Sequence, residues 1–101
     1  MKLIIMFPQP TDVEKFEADY AEHLEMFHEK MGVPSWAKPY TITKFAPETP
    51  LGPSPYYHMF VLPFESEEEL NAVLTSAAMQ EVAQHAAEIS TGGMPTTLLG
   101  Q

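Results

Sequence analysis

The 101-residue chain contains no cysteine and no arginine. Without thiols it can form no disulfide, thiolate nucleophile, zinc–thiolate site or iron–sulfur cluster. Without guanidinium groups it lacks the usual bidentate clamp for phosphate or carboxylate ligands. Five lysines stand against 14 Asp and Glu, for a formal net charge of −9. That balance disfavours nucleic acid and anionic lipid surfaces, so neither a nucleic-acid nor a membrane partner is expected. No apolar run approaches the ~20 residues of a membrane span. The apolar start, Leu3-Ile4-Ile5-Met6-Phe7, is too short for a signal-peptide core and ends at Pro8. The expectation is a soluble cytoplasmic protein. Phosphate-loop, dinucleotide-binding and serine-elbow patterns are also missing, and Gly92-Gly93 is a turn rather than a phosphate cradle.

What is present is apolar surface. Hydrophobic residues make up 45% of the chain and aromatic residues 11%. A single domain of this length buries only about 60–65% of its unfolded surface. The surplus favours self-association. Two helical stretches sit among four short apolar runs in the order β-α-β-β-α-β, which in about 100 residues defines a ferredoxin-like unit. The predicted fold class is α+β: an antiparallel four-stranded sheet with its helices on one face, one domain over 1–101.

The first strand, 2–7, is apolar on both faces and expects cover on both sides. Thr11-Asp12-Val13-Glu14 reads as a capping box with Thr11 at the N-cap. The helix that follows carries Val13, Phe16, Tyr20, Leu24, Phe27 and Met31 at helical spacing, and Gly32 and Pro34 end it. A second strand lies within 37–45. Residues 46–55 read as a proline-rich loop, because proline cannot donate to a ladder. A third strand, 56–62, is aromatic-rich and apolar on both faces. Ser66-Glu67-Glu68-Glu69 opens a second helical region, Ser76 caps a further helix, and a last strand follows Gly92-Gly93.

The candidate chemistry is imidazole chemistry. His23 lies three residues from Tyr20 and four from Phe27, on the flank of the helix-one ridge. A histidine there can act as acid, base or hydrogen-bond donor to a ligand oxygen. His58 shares a strand face with Phe60, and Tyr20 and His58 are the candidate assistants of His23. Phe27, Tyr40 and Phe60 are the candidate pocket wall. His23 and His28 are five apart, where chelation from one helix wants four, so no metal site is expected. His85 follows Glu81 by four and reads as half of a surface pair. No cofactor is implied.

Four segments together resemble the EthD family of the dimeric α+β barrel superfamily. They are the start Lys2-Leu3-Ile4-Ile5-Met6-Phe7-Pro8; Phe16, Tyr20 and His23 of helix one; Pro55-Tyr56-Tyr57 leading to Phe64-Glu65-Ser66; and Ser90-Thr91-Gly92-Gly93. The resemblance implies two ferredoxin-like sheets meeting face to face in a homodimer, with a pocket between helix one and the sheet. His23 matches the family's helix-one histidine, although Glu25 or a neighbour stands where a proline often follows it. The family is associated with degradation of ethers and related organic molecules. Its superfamily includes cofactor-free monooxygenases, lactone isomerases and haem enzymes. The expected function is binding of a small apolar organic molecule, with cofactor-independent oxidoreductase or isomerase chemistry. The alternatives are a non-catalytic accessory protein with the same pocket, or a haem-binding relative.

Overall fold

A computed structural model describes residues 1–101. The elements run β1 (Lys2–Pro8), α1 (Val13–Met31), β2 (Thr41–Lys44), β3 (Glu48–Thr49), β4 (Gly52–Pro53), β5 (Tyr56–Pro63), α2 (Glu67–Leu74), α3 (Ala77–Ile89) and β6 (Thr96–Gly100). Four strands form an antiparallel sheet in the order β2-β5-β1-β6. Set aside the small β3-β4 ribbon, and the order is the ferredoxin-like βαββαβ expected from the sequence.

Alternation along the central strands decides which side chains meet the helices. Leu3 and Phe7 of β1, and His58, Phe60 and Leu62 of β5, are buried against the helical layer. The intervening Ile4, Met6, Met59 and Val61 are only half-buried. Register aligns them across the sheet, with Ile4 opposite Val61 and Leu98, and Met6 opposite Met59. The face away from the helices is thus a continuous apolar band. Between the Phe7–His58 and Pro8–Tyr56 pairs the register shifts, leaving Tyr57 as an extra residue. Such a bulge bends a strand and re-aims its side chains. The Tyr57 hydroxyl donates to Glu17 of α1.

The N-cap of α1 is Asp12, not Thr11. Asp12 has an extended backbone and its carboxylate accepts from Lys15 N. Thr11 instead donates its backbone N–H to Thr91 Oγ1, tying the start of α1 to the end of α3. The other caps follow the sequence reading: Ser66 accepts from Glu69 N and Ser76 from Met79 N. Gly32 closes α1 at φ +68°, with its N–H on His28 O. The buried stripe of α1 is Phe16, Tyr20, His23 and Phe27. Val13 is largely exposed, and His23 lies in the stripe rather than on its flank. Residues 46–55 are not wholly loop. Glu48 pairs with Pro53 and Thr49 with Gly52, a ribbon short enough for proline to sit at its edge.

The interior holds two apolar clusters. One gathers Leu3, Phe27, Phe60, Leu70 and Met79; the other gathers Phe7, Phe16, Tyr20, Ala86 and Ile89. Ile5, Leu24 and Ile42 pack against both.

The turn from α3 into β6 is held by a glycine for steric reasons. A Cβ on Gly92 would lie 1.8 Å from the carbonyl oxygen of Gln9. Backbone must shift to admit it, and overpacking of this kind costs about 1–3 kcal/mol. Gly92→Ala should lower the thermal midpoint by several degrees. Gly32→Ala meets no neighbour but must hold φ +68°, and should cost only about 1 kcal/mol. Thermal unfolding of both variants checks the order.

Candidate functional site

Where the two clusters meet, a small cavity of about 10 Å³ remains. Ile5, Phe7 and Phe60 form its floor on the sheet; Tyr20, His23, Leu24 and Phe27 line it from α1, and Met79 and Val82 from α3. That space is about one water molecule's worth. The wall is apolar except for the imidazole of His23 and the phenol of Tyr20.

His23 is 5% exposed. Its Nδ1 lies 2.9 Å from Nδ1 of His85, and the two rings are nearly parallel, 14° apart. One nitrogen must donate and the other accept, so the pair shares a single proton. His85 is only half-buried. Burial, and then the neighbouring charge of His85 and His58, push the His23 pKa down to about 4. His85 is the residue that sequence reasoning missed. Its supposed surface partner, Glu81, instead forms an ion pair with Lys30 of α1 at 3.0 Å. The signal was present in the α3 stripe: His85 is three residues after the buried Val82 and four before the buried Ile89.

Tyr20 and His58 do come together, with ring centroids 4.1 Å apart. Burial raises the Tyr20 pKa, so the phenol stays protonated. His58 is 1% exposed, and neither of its ring nitrogens has a hydrogen-bond partner. It does not line the cavity; it sits behind Phe7 and Tyr20, at ring distances of 5.6 and 4.1 Å. Burial lowers its pKa to about 4 against the opposing pull of the Glu17 carboxylate. Glu17 is held by Lys44 Nζ at 2.7 Å and by the Tyr57 hydroxyl. These bonds, with the Lys44 charge, outweigh the effect of burial and lower the Glu17 pKa, while Tyr57 is raised to about 12 by that hydrogen bond and by burial.

Phe27 and Phe60 are on the cavity wall, but Tyr40 is not. Tyr40 stacks on Phe60, and its hydroxyl meets His28 Nε2 at 2.7 Å. His28 Nδ1 donates to the carbonyls of Val33 and Pro34, so Nε2 accepts from Tyr40. This arrangement fastens the chain leaving α1 and belongs to support, not to the cavity. No group of three His, Asp or Glu side chains is placed to hold a metal.

Both buried imidazoles make stability depend on pH. Each has a folded pKa near 4, below the ordinary value of 6.5. The unfolded chain therefore binds more protons between those values, and stability falls as pH drops from about 6.5 through 4. Each histidine contributes on the order of 3 kcal/mol to that loss. Denaturant unfolding at pH 7.5 and pH 4.5 should show it. His58→Phe, which removes two orphaned polar atoms, should retain stability at pH 7.5 and lose clearly less on acidification. An unchanged pH dependence in that variant would assign the acid sensitivity elsewhere.

Comparison with known proteins gives the fold a setting. No family model matches the sequence, and no curated protein matches it. Among solved structures, the chain is similar to an ethyl tert-butyl ether D (EthD) family protein from Bacillus halodurans C-125. The TM-score is 0.79 at 21% identity, covering 99% of this chain and 95% of that one. It is also similar to a dimeric ferredoxin-like protein of unknown function from Jannaschia sp. CCS1. There the TM-score is 0.63 at 12% identity, covering 98% of both chains. The fold is ferredoxin-like α+β, shared over nearly the whole chain with a member of the EthD family, the same family that the sequence resembles.

Proposed function

We propose that the protein is an EthD-like homodimer that takes a small, largely apolar organic molecule into the α1–α3 cavity and transfers protons to or from it through His23. The observation that carries this reading is the His23 imidazole, set in a cavity wall that is otherwise apolar but for the Tyr20 phenol. Binding sites of this composition use apolar surface for affinity and a few polar atoms for orientation. Proton abstraction beside a carbonyl or hydroxyl is the protein's share of both an isomerisation and a cofactor-independent oxidation. The reading therefore covers both, and Tyr20 supplies a protonated phenol at the same wall.

Dimerisation is supported by the uncovered apolar band of Ile4, Met6, Met59 and Val61, and by the dimeric state of the Jannaschia protein with the same fold. Exposed Trp36 and Leu51 add apolar surface outside the sheet. An apolar band left to water favours association. Light scattering at micromolar concentration should give about twice the 11.3 kDa chain mass. A monomer with intact secondary structure would remove the dimer from the proposal.

A non-catalytic accessory role is favoured by the closed state of the cavity, which has room for one water and must open to admit any organic molecule. Cyclohexanone, a small apolar carbon acid, separates the two readings. Catalysis predicts faster deuterium uptake at its α-carbon in heavy water with the wild type, and none above background with His23→Ala. Binding with no acceleration in either protein would establish the accessory role. His23→Ala should keep its assembly and lose no more than about 1–2 kcal/mol, because His85, whose nitrogen it orphans, is only half-buried.

A further inference from the structure

His85 belongs to no wall of the cavity, yet it makes the one side-chain hydrogen bond of His23. The contact joins like atoms, Nδ1 to Nδ1, at 2.9 Å. A pair of neutral imidazoles in this geometry has two arrangements. In the first, His85 donates, and His23 carries its hydrogen on Nε2, the nitrogen left for the cavity. In the second, His23 donates, its Nε2 is bare, and His85 carries its hydrogen on Nε2. The first arrangement presents an acid to the cavity and the second presents a base.

We infer that His85 relays protons between solvent and His23, letting the cavity histidine serve as acid or base without keeping a positive charge in its apolar surroundings. This inference rests on the acid–base reading of His23. Working as a base, His23 Nε2 takes a proton from the bound molecule. The Nδ1–H bond of His23 breaks as the Nδ1–H bond of His85 forms. His85 then releases its Nε2 proton to water, and both rings end neutral. Every step reverses for reprotonation, and no other reactant is needed.

The surroundings favour this division of labour. His23 is buried and His85 half-buried, so charge is far less costly on the outer ring. The depressed His23 pKa expresses the same penalty. The Lys30–Glu81 ion pair also crosses from α1 to α3. It occupies the carboxylate on α3 that is one turn from His85, leaving exposed Glu88 on that helix and exposed Glu22 on α1. From the sheet, His58 faces the pair only across the Tyr20 ring, 5.4 Å from His23 by centroid.

Nitrogen-15 NMR of the histidine rings, in the ligand-free protein at neutral pH, tests the relay without a substrate. The expected result is a coupling between the two Nδ1 nuclei through the hydrogen bond. Both Nδ1 shifts should also lie between the protonated and unprotonated positions, because the two arrangements exchange. His85→Asn provides the static reference: its side-chain amide can donate to or accept from His23 but cannot pass a proton on. There His23 should be held in a single tautomer, with its Nδ1 shift at either the protonated or the unprotonated position rather than between them. A wild type that already shows that fixed pattern overturns the relay and leaves a positioning hydrogen bond. Absence of the coupling overturns the pairing itself. The wild-type spectrum decides the matter even if the variant does not fold. Failure of the cyclohexanone experiment would count against the catalytic reading while leaving the NMR result standing.

Discussion

All three helices of the protein lie on one face of a four-stranded sheet, and the pleat makes that a strict condition on β1 and β5. Leu3, Ile5 and Phe7 must point one way together, as must His58, Phe60 and Leu62. A slip of one residue would turn Phe7 and Phe60 outward and bring Met6 and Met59 in. With the register fixed, the rest of the molecule has little choice. α1 has to offer an apolar stripe of matching length. α3 has to close the remaining side, and the two clusters meet beneath Leu24. The same alternation leaves the opposite face apolar and half-buried. Core packing and the surplus surface are consequences of one pattern.

Against that background the two buried histidines are the costly features. An imidazole out of water needs partners for two nitrogens. His23 has one, in His85, and His58 has none. Leaving a buried polar atom unpaired costs about 1–3 kcal/mol. A leucine or phenylalanine at either position would avoid that cost. Helix α1 places His23 in the middle of its stripe, between Tyr20 and Phe27, where nothing about folding asks for a polar group. For His23 the departure from a consistent apolar core falls at the cavity wall, whereas His58 departs from it behind Phe7 and Tyr20, off the cavity.

Much of this was legible in the sequence, for definite reasons. Strand and helix order followed from periodicity and from the Ser66 and Ser76 caps, all of them local features. The grouping of Tyr20, His23 and Phe27 followed from one helix's geometry. What the sequence did not reveal were relations between distant elements. Thr11 reads as the N-cap of α1, but Asp12 takes that place, and the backbone N–H of Thr11 goes to Thr91 Oγ1, 80 residues away. Tyr40 has the composition of a pocket residue, but His28 holds its hydroxyl to the chain beyond α1. His85 was read through its nearest charge, Glu81, because i,i+4 pairing is visible in one dimension. Lys30 claims Glu81 across the α1–α3 seam, and this frees His85 for His23.

The seam between α1 and α3 is also the wall of the cavity that no backbone hydrogen bond crosses. The floor belongs to β1 and β5, which are bonded to neighbours along both edges. Parting them would break a continuous ladder. The seam is crossed by one imidazole pair, one exposed ion pair and the apolar packing of both clusters, Phe16, Tyr20 and Phe27 of α1 against Met79, Val82, Ala86 and Ile89 of α3. An exposed ion pair contributes at most about 1 kcal/mol. The ends of α3 are tied elsewhere, at Ser76 to Val73 O of α2 and beyond Ile89 by the close approach of Gly92 to Gln9. A movement that widens the seam separates His23 from His85. On the proposed function, admission of a molecule and proton exchange through the pair would therefore belong to different states of the same seam, open for the first and closed for the second.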